Sequence, residues 1–211
     1  MTEQIKVMVM GGHTTGYHNF EIMGPIYEKF LTEAGFAVMI TEDRDEFLKE
    51  RLSGIDVIID YTTGEDLADP QRQGLLDSIK ILGKGFVGVH GAADSFIKTE
   101  GYLPMVGGKF LMHPSGTPPF TFNIKNHCHP VVQGLNDFAM DEELYLMETY
   151  GHFELLISTW WQGIERPITW VKGYGLGRVC YTALGHGEPQ TRNPNFQKLI
   201  VNAVRWAKKP E

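Results

Sequence analysis

Apolar runs alternate with stretches of helical periodicity through the first half of the chain. Four runs predict buried strands, at residues 5–10, 36–40, 57–61 and 86–89. Residues 19–34 place apolar side chains near helical spacing and are followed by Gly35, which predicts a helix. A second helix is predicted at residues 70–82, which begin with a proline and are followed by Gly83. Pro25 suggests that the first of these helices begins near that residue. Strands that alternate with helices predict an α/β fold, with a parallel-core sheet and helices on both faces.

The second half of the chain is less regular. Residues 102–119 are rich in glycine and proline and predict loops around a short helix. The other predicted elements are a strand at 120–125, a hairpin of strands 168–171 and 178–184 around a glycine-rich turn, and an amphipathic helix at 195–208. No repeat, low-complexity tract or linker divides the sequence, so we expect a single domain over residues 1–211.

The charge and hydropathy of the chain exclude two classes of partner. The formal charge is −7, from 19 basic and 26 acidic residues, which disfavours non-specific nucleic-acid binding because that depends on basic patches. No apolar run approaches the roughly 20 residues that cross a bilayer, and the N-terminal run is too short for a signal peptide. We therefore expect a cytoplasmic protein that binds neither nucleic acid nor membrane.

Two cysteines, Cys128 and Cys180, do not suggest a disulfide framework. Cys128 stands between His127 and His129, where a reactive thiol and a plain turn cysteine are both open, and we favour the turn. Cys180 lies within an apolar strand, so we expect it to be a small core residue.

His90 occupies the position with the clearest local pattern for chemistry. The frame Gly88-Val89-His90-Gly91-Ala92 closes the fourth predicted strand and has the form of a strand, a tight turn and a helix. In α/β enzymes such an elbow commonly presents a nucleophile. Here it presents an imidazole, which exchanges protons near neutral pH and binds metals.

Two further histidines follow predicted strands. His18 comes after the loop of the first strand, and His186 follows the strand of residues 178–184. A lone histidine is more often a hydrogen-bonded surface or core residue, so the argument rests on convergence. If these strands are parallel neighbours, His18, His90 and His186 point into one cleft, and His113 could close over it. None of the spacings is a known metal signature, so a divalent metal remains an open alternative.

Three other motifs carry weaker signals. The acidic residues 141–143 predict a solvated helix start, because acids favour the positive end of the helix dipole. The turn at residues 174–177 lacks the lysine of a phosphate loop and joins two strands, so it predicts a hairpin. The glycines of residues 11–16 lack the spacing of a dinucleotide fingerprint, so we do not expect bound NAD.

An ordered set of motifs resembles the ThuA-like (trehalose-utilisation) family. The matching stretches span residues 83–209 and are GKGFVGVHGAADSF, VGGKFLMHP, HPVVQGL, DEELY, PITWVKGYGLGRVCYTALGH and PNFQKLIVNAVRWAKK. Each stretch alone is weak, and the ordered set is fairly specific. The resemblance implies a flavodoxin-like fold of the class I glutamine amidotransferase type. It also implies a role in the metabolism of trehalose, related disaccharides and their keto derivatives.

The resemblance and these positions together give a hypothesis of general acid–base chemistry on a small-molecule sugar or keto-sugar. His90 and Glu143 are the expected proton-transfer residues. The expected substrate-binding residues, with or without a divalent metal, are His18, Asp94, His113, Tyr145 and His186. The elbow of the amidotransferases holds a cysteine, and no cysteine stands near His90 in the sequence, so we reject glutaminase activity.

Three tryptophans are candidates for contact with a sugar. Trp160 and Trp161 could stack on a sugar face, as could Trp170, although a core role fits Trp170 better.

One alternative to the acid–base enzyme is a non-catalytic sugar-binding or assembly module on a fold that has lost its nucleophile. Another is a structural subunit of an oxidoreductase complex. The sequence leaves open whether the chain forms a homo-oligomer.

Overall fold

The computed structural model of the chain describes residues 4–12 and 18–208. His13 and most of the glycine segment discussed above lie outside the described residues. The strands are β1 (Lys6–Met10), β2 (Ala37–Thr41), β3 (Val57–Asp60), β4 (Gly85–Val89), β5 (Gly108–Met112), β6 (Pro119–Ile124), β7 (Phe138–Asp141), β8 (Leu146–Thr149), β9 (Glu154–Trp161), β10 (Ile164–Tyr174) and β11 (Gly177–Thr182). The α-helices are α1 (Phe20–Glu33), α2 (Asp69–Lys80), α3 (Tyr102–Val106), α4 (Glu188–Thr191) and α5 (Pro194–Ala207). Short 3-10 helices cover Arg44–Phe47, Arg51–Gly54, His90–Asp94 and Pro130–Val132.

Nine of the described strands form one mixed sheet in the order β2-β1-β3-β4-β11-β10-β9-β6-β7. The first five are parallel to their neighbours. Each strand after β11 runs antiparallel to the strand before it in the sheet. β5 and β8 form a separate antiparallel pair. The carboxyl ends of β1, β3, β4 and β11 therefore meet at one edge, which is where ligands bind in open α/β sheets.

The apolar runs of the sequence account for the central strands. β3 and β4 are buried at every residue, and β1 is buried at every residue after Lys6. Strands covered by helices on both faces need continuous apolar runs rather than an alternating pattern. The predicted α/β fold with a parallel core is confirmed.

Successive residues of β4 point toward helices on opposite faces of the sheet. A Cβ on Gly85 would lie 2.7 Å from the Cβ of Ala207 in α5. Phe86 points the other way, and its ring meets Tyr102 of α3 edge-on with centroids 6.3 Å apart. The sheet is therefore covered on both faces. None of the described helices combines the length and apolar character that a bilayer crossing requires.

Helix α1 begins earlier than Pro25 suggests. The Oδ1 atom of Asn19 accepts the backbone N–H of Glu21 at 3.0 Å, and the helix starts at Phe20. Phe20 and Met23 are both buried in the core. This N-cap and the burial of the first turn outweigh the loss of one backbone hydrogen bond at Pro25, which lies inside the helix.

Residues 102–119 contain a strand that the sequence does not predict. The short helix expected there is α3, but residues 108–112 form β5 rather than a loop. Gly107, with φ of +91°, ends the helix and turns the chain into the strand. β5 is short and half exposed, so it carries no clear hydrophobic period.

The close approach of Gly85 to Ala207 gives a stability prediction. We expect Gly85→Ala to lower the free energy of unfolding by about 1–3 kcal/mol, because the new methyl group must displace the end of α5. Gly54→Ala is the matched control, since a Cβ at Gly54 meets nothing within 4 Å. Urea denaturation of both variants measures the difference. Equal stability of the two variants would contradict the packing described here.

Candidate functional site

The elbow after β4 holds His90 in a strained backbone conformation. His90 has φ of +43°, in the left-handed region that residues with a side chain rarely adopt. Such a conformation costs on the order of 1–3 kcal/mol and persists where the surroundings impose it. The Tyr181 hydroxyl donates to the His90 carbonyl at 2.9 Å. A 3-10 helix follows, in place of the α-helix expected from the elbow pattern.

The backbone of the neighbouring strand fixes the tautomer of His90. Its Nδ1 lies 2.8 Å from the carbonyl oxygen of Ala183, which can only accept a hydrogen bond. Nδ1 therefore carries the proton, and the neutral ring keeps its lone pair on Nε2. The imidazole is fully buried. The lone pair of Nε2 points toward the side chains that follow.

Four side chains bring one ligand atom each to a common point. These atoms, from His18, His90, Glu143 and His186, all lie within 4.8 Å of one another. His186 Nδ1 is 3.3 Å from His18 Nε2, 3.3 Å from His90 Nε2 and 3.2 Å from Glu143 Oε2. His90 Nε2 is 3.2 Å from the same carboxylate oxygen. The predicted convergence of the three imidazoles is confirmed.

Thr63 holds His18 in this cluster. Its hydroxyl oxygen lies 2.6 Å from Nδ1 of His18, which leaves Nε2 facing His186. The rings of His18 and His90 meet edge-on with centroids 5.0 Å apart. Thr63 follows β3, so this contact ties the loop after the first strand to the end of the third.

Charge in the cluster is divided unevenly between its members. Burial alone would raise the pKa of Glu143, but hydrogen bonds with His186 and His90 outweigh it and hold that pKa far below its usual value. The hydrogen bond to Glu143 raises the pKa of His186. Burial lowers the pKa of His90 despite the same carboxylate. Without a metal, the site therefore pairs an ionised Glu143 with a proton on His186 in preference to His90.

Glu142 belongs to the site and is missed by the sequence analysis. Asp141 ends β7, and Glu142 and Glu143 begin the connection to β8, so the predicted helix start is wrong. Glu142 is 1% exposed, and burial raises its pKa to about 7 even though three backbone N–H groups bond to its carboxylate. The strand period of two, which buries Phe138 and Met140, continues to Glu142. That alternation is the signal that could have found it.

The remaining predicted residues lie at different distances from the cluster. His113, 40% exposed, places Nε2 3.3 Å from Oε1 of Glu143. The ring of Tyr145 covers His90 with centroids 3.9 Å apart and is buried. Asp94 ends the 3-10 helix, and burial raises the pKa of its carboxyl group. Within the described residues, the Asp94 carboxylate makes no hydrogen bond to the four-residue cluster.

The tryptophans and cysteines lie apart from the cluster. Trp170 is fully buried and its Nε1 donates to the carbonyl of Val106 at 2.9 Å, so its core role is confirmed. Trp160 is 61% exposed, and the guanidinium of Arg166 lies over the ring of Trp161. Cys180 is buried, which raises its pKa to about 12, and Cys128 lies exposed in a turn, as expected.

Comparison with known proteins identifies the family. The sequence profile of ThuA, described as trehalose utilisation, matches residues 6–207. The chain belongs to the ThuA family. Among proteins with curated descriptions, no sequence matches this ThuA-family chain.

Solved structures similar to this ThuA-family chain show its fold. A ThuA-like protein from Parabacteroides merdae has 19% sequence identity and a TM-score of 0.85, with 98% of this chain and 91% of that chain covered. A ThuA-like protein from Bacteroides uniformis has 22% identity and a TM-score of 0.79, with 98% and 93% covered. PurLQS from Thermotoga maritima has 11% identity and a TM-score of 0.62, with 97% of this chain and 99% of that chain covered. The predicted ThuA-like membership and amidotransferase-like α/β fold are confirmed.

The tight packing at Gly91 gives a prediction for the elbow of this ThuA-like chain. A Cβ on Gly91 would lie 2.6 Å from the carbonyl of Thr62 and 3.2 Å from Nδ1 of His18. We expect Gly91→Ala to displace His18 and to shift its imidazole nitrogen resonances in an NMR spectrum. Gly173→Ala is the control, because a Cβ there meets nothing within 4 Å. An unchanged His18 resonance in a folded Gly91→Ala protein would show that the elbow tolerates the methyl group.

Proposed function

We propose that this protein binds a divalent metal ion through His18, His90, Glu143 and His186 and uses it to act on a sugar or keto-sugar. One observation carries the proposal. Donor atoms of four side chains from four separate segments meet within 4.8 Å at the carboxyl edge of the sheet. Such convergence is costly for folding, because it buries polar groups that would otherwise be solvated, and proteins commonly accept that cost at functional sites.

The donor set fits a transition-metal ion. Three imidazole nitrogens and one carboxylate oxygen suit zinc, manganese, iron and related divalent ions. Neutral His90, protonated on Nδ1, and ionised Glu143 both present hydrogen-bond acceptors, yet His90 Nε2 lies 3.2 Å from Glu143 Oε2. A bound cation would offset the repulsion between these two atoms, as would a proton on His186, whose Nδ1 lies 3.3 Å from the first and 3.2 Å from the second. The carbonyl of Ala183 orients the His90 ring from behind, as hydrogen-bond acceptors commonly do for histidine ligands.

The metal assignment changes the roles expected for two residues. A bound ion would polarise a carbonyl or hydroxyl oxygen of the substrate. A lone pair that binds a metal cannot also accept a proton, so the proposal assigns His90 and Glu143 to binding. Their predicted proton-transfer roles apply only to a metal-free mechanism. Tyr145 covers His90, and His113 stands exposed against Glu143.

The substrate class comes from the family and from what the site lacks. The family is described as one of trehalose utilisation, which supports a sugar or keto-sugar. Glutaminase chemistry requires a thiolate at the elbow, and the elbow carries His90 instead. Cys180 is buried in the sheet with a pKa of about 12, and Cys128 lies exposed in a turn. Neither thiol supplies the missing nucleophile.

Metal titration tests the site itself. We expect the wild type to hold one equivalent of a divalent ion by elemental analysis and calorimetry. His90→Ala and His186→Ala should each lose more affinity than the roughly 10- to 100-fold typical for removing a hydrogen-bond partner behind a ligand. His152→Ala, at an exposed histidine, is the control and should bind as the wild type does. A wild type that binds no ion, or equal losses in the control, would overturn the site.

Substrate turnover tests the chemistry. We expect a screen of disaccharides and their keto derivatives to yield turnover that a chelator abolishes and the ion restores. His186→Ala should fail under the same conditions, while His152→Ala should retain full activity. Sugar binding without any turnover, measured by calorimetry on the metal-loaded protein, would instead support the non-catalytic binding module.

A further inference from the structure

The buried carboxylate of Glu142 lies beside the cluster, and within the described residues its hydrogen bonds come from backbone N–H groups. Glu142 Oε2 accepts the backbone N–H of Gly185 at 2.7 Å. Its Oε1 accepts the N–H groups of His186 at 3.2 Å and of Glu143 at 3.0 Å. Among the ion pairs of the described residues, none involves Glu142, so these N–H groups supply its compensation.

These three hydrogen bonds join two distant parts of the sheet. Glu143 follows β7, the edge strand, whereas His186 follows β11, which is separated from β7 by β10, β9 and β6. The two ligand-bearing segments therefore do not meet through strand pairing. The carboxylate of Glu142 bonds the backbone of both ligand residues at once. Among the described residues, it is a direct polar link between their main chains.

Two other contacts support the same segments from the outside. The hydroxyl of Tyr61 donates to the carbonyl of His186 at 2.9 Å. The Nε2 group of Gln190 donates to the carbonyl of Asp141 at 2.8 Å. Gln190 follows His186 in the chain, so its bond to Asp141 is a second link between the two segments. Among the described residues, Glu142 is the side chain that bonds the backbone N–H groups of both ligand residues. The hydrogen bonds of Glu142 therefore help to set the relative placement of the two main chains, alongside the Gln190 contact and the side-chain contact between His186 and Glu143.

We propose that Glu142 is a positioning residue that sets the spacing between His186 and Glu143 and so preorganises the metal cluster. The inference rests on the proposed metal site. Ligand distances in metal sites lie within about 0.2 Å of their standard values, so we expect a relative shift of the two segments to weaken binding. An amide in place of the carboxylate turns an N–H donor toward backbone N–H groups and leaves at least one of them without an acceptor.

The test compares Glu142→Gln with Glu148→Gln, a glutamate-to-glutamine control at β8. The carboxylate of Glu148 bonds the Tyr150 hydroxyl at the surface, outside the cluster. Competition with a chromophoric chelator measures Zn²⁺ and Mn²⁺ affinity. We expect Glu142→Gln to bind roughly 10- to 100-fold more weakly, the range typical for residues that orient ligands. Glu148→Gln should match the wild type. Unchanged affinity in folded Glu142→Gln, even with a lower unfolding temperature, would show a merely structural role and overturn the inference.

A second readout separates this inference from the proposed function. Hydrogen exchange of the Gly185 and His186 amides in the metal-free protein reports on their hydrogen bonds to Glu142, whether or not the protein binds an ion. Faster exchange at both amides in Glu142→Gln, with unchanged exchange in Glu148→Gln, supports the positioning role of Glu142. Unchanged exchange overturns it. A wild type that binds no ion defeats the proposed function but leaves this readout valid. If Glu142→Gln does not fold, Glu142→Asp keeps the charge on a shorter side chain and should show both effects more weakly.

Discussion

The parallel pairing of β4 with β11 is the contact on which the candidate site depends. Its register places Thr182 beside Val89, so the chain leaves both strands at the same level. Ala183 and His90 follow directly, and the carbonyl of the first fixes the ring of the second at 2.8 Å. A slip of one residue would turn these side chains to the opposite face. The pairing of β4 with β11 thus sets the direction of the Nε2 lone pair of His90.

The site gathers local features that oppose folding. His90 has a positive φ, Glu142 buries a carboxylate, and four polar ligand atoms are held within 4.8 Å of one another. The strands beneath them follow the ordinary rules of burial and hydrogen bonding. Proteins commonly break local rules at functional sites and compensate elsewhere. β4 is a regular buried strand, whereas His90 directly after it has a strained backbone, and this difference points to His90 as a functional residue.

The sequence predicts the site only as far as local pattern reaches. Alternating strands and helices place His18, His90 and His186 at one edge, because the ends of parallel strands meet there. Glu143 reaches that edge through an arm of antiparallel strands whose pairing no local pattern reveals. Three consecutive acidic residues are as typical of a helix start as of a strand end, so the sequence predicts that the side chain of Glu142 is exposed to solvent. The placement of Glu143 came from family resemblance, and that of Glu142 required the fold.

The spread of the cluster along the chain has a consequence for folding. His18 and His186 stand 168 positions apart in sequence, yet their ring nitrogens lie 3.3 Å from each other. An unfolded chain rarely brings such residues together, because closing so long a loop costs entropy. An ion held between them would act as a reversible cross-link from the first strand to the last. Above its dissociation constant, it would raise the free energy of unfolding with the logarithm of its free concentration. The supply of the ion would then govern how long the protein survives as well as what it does.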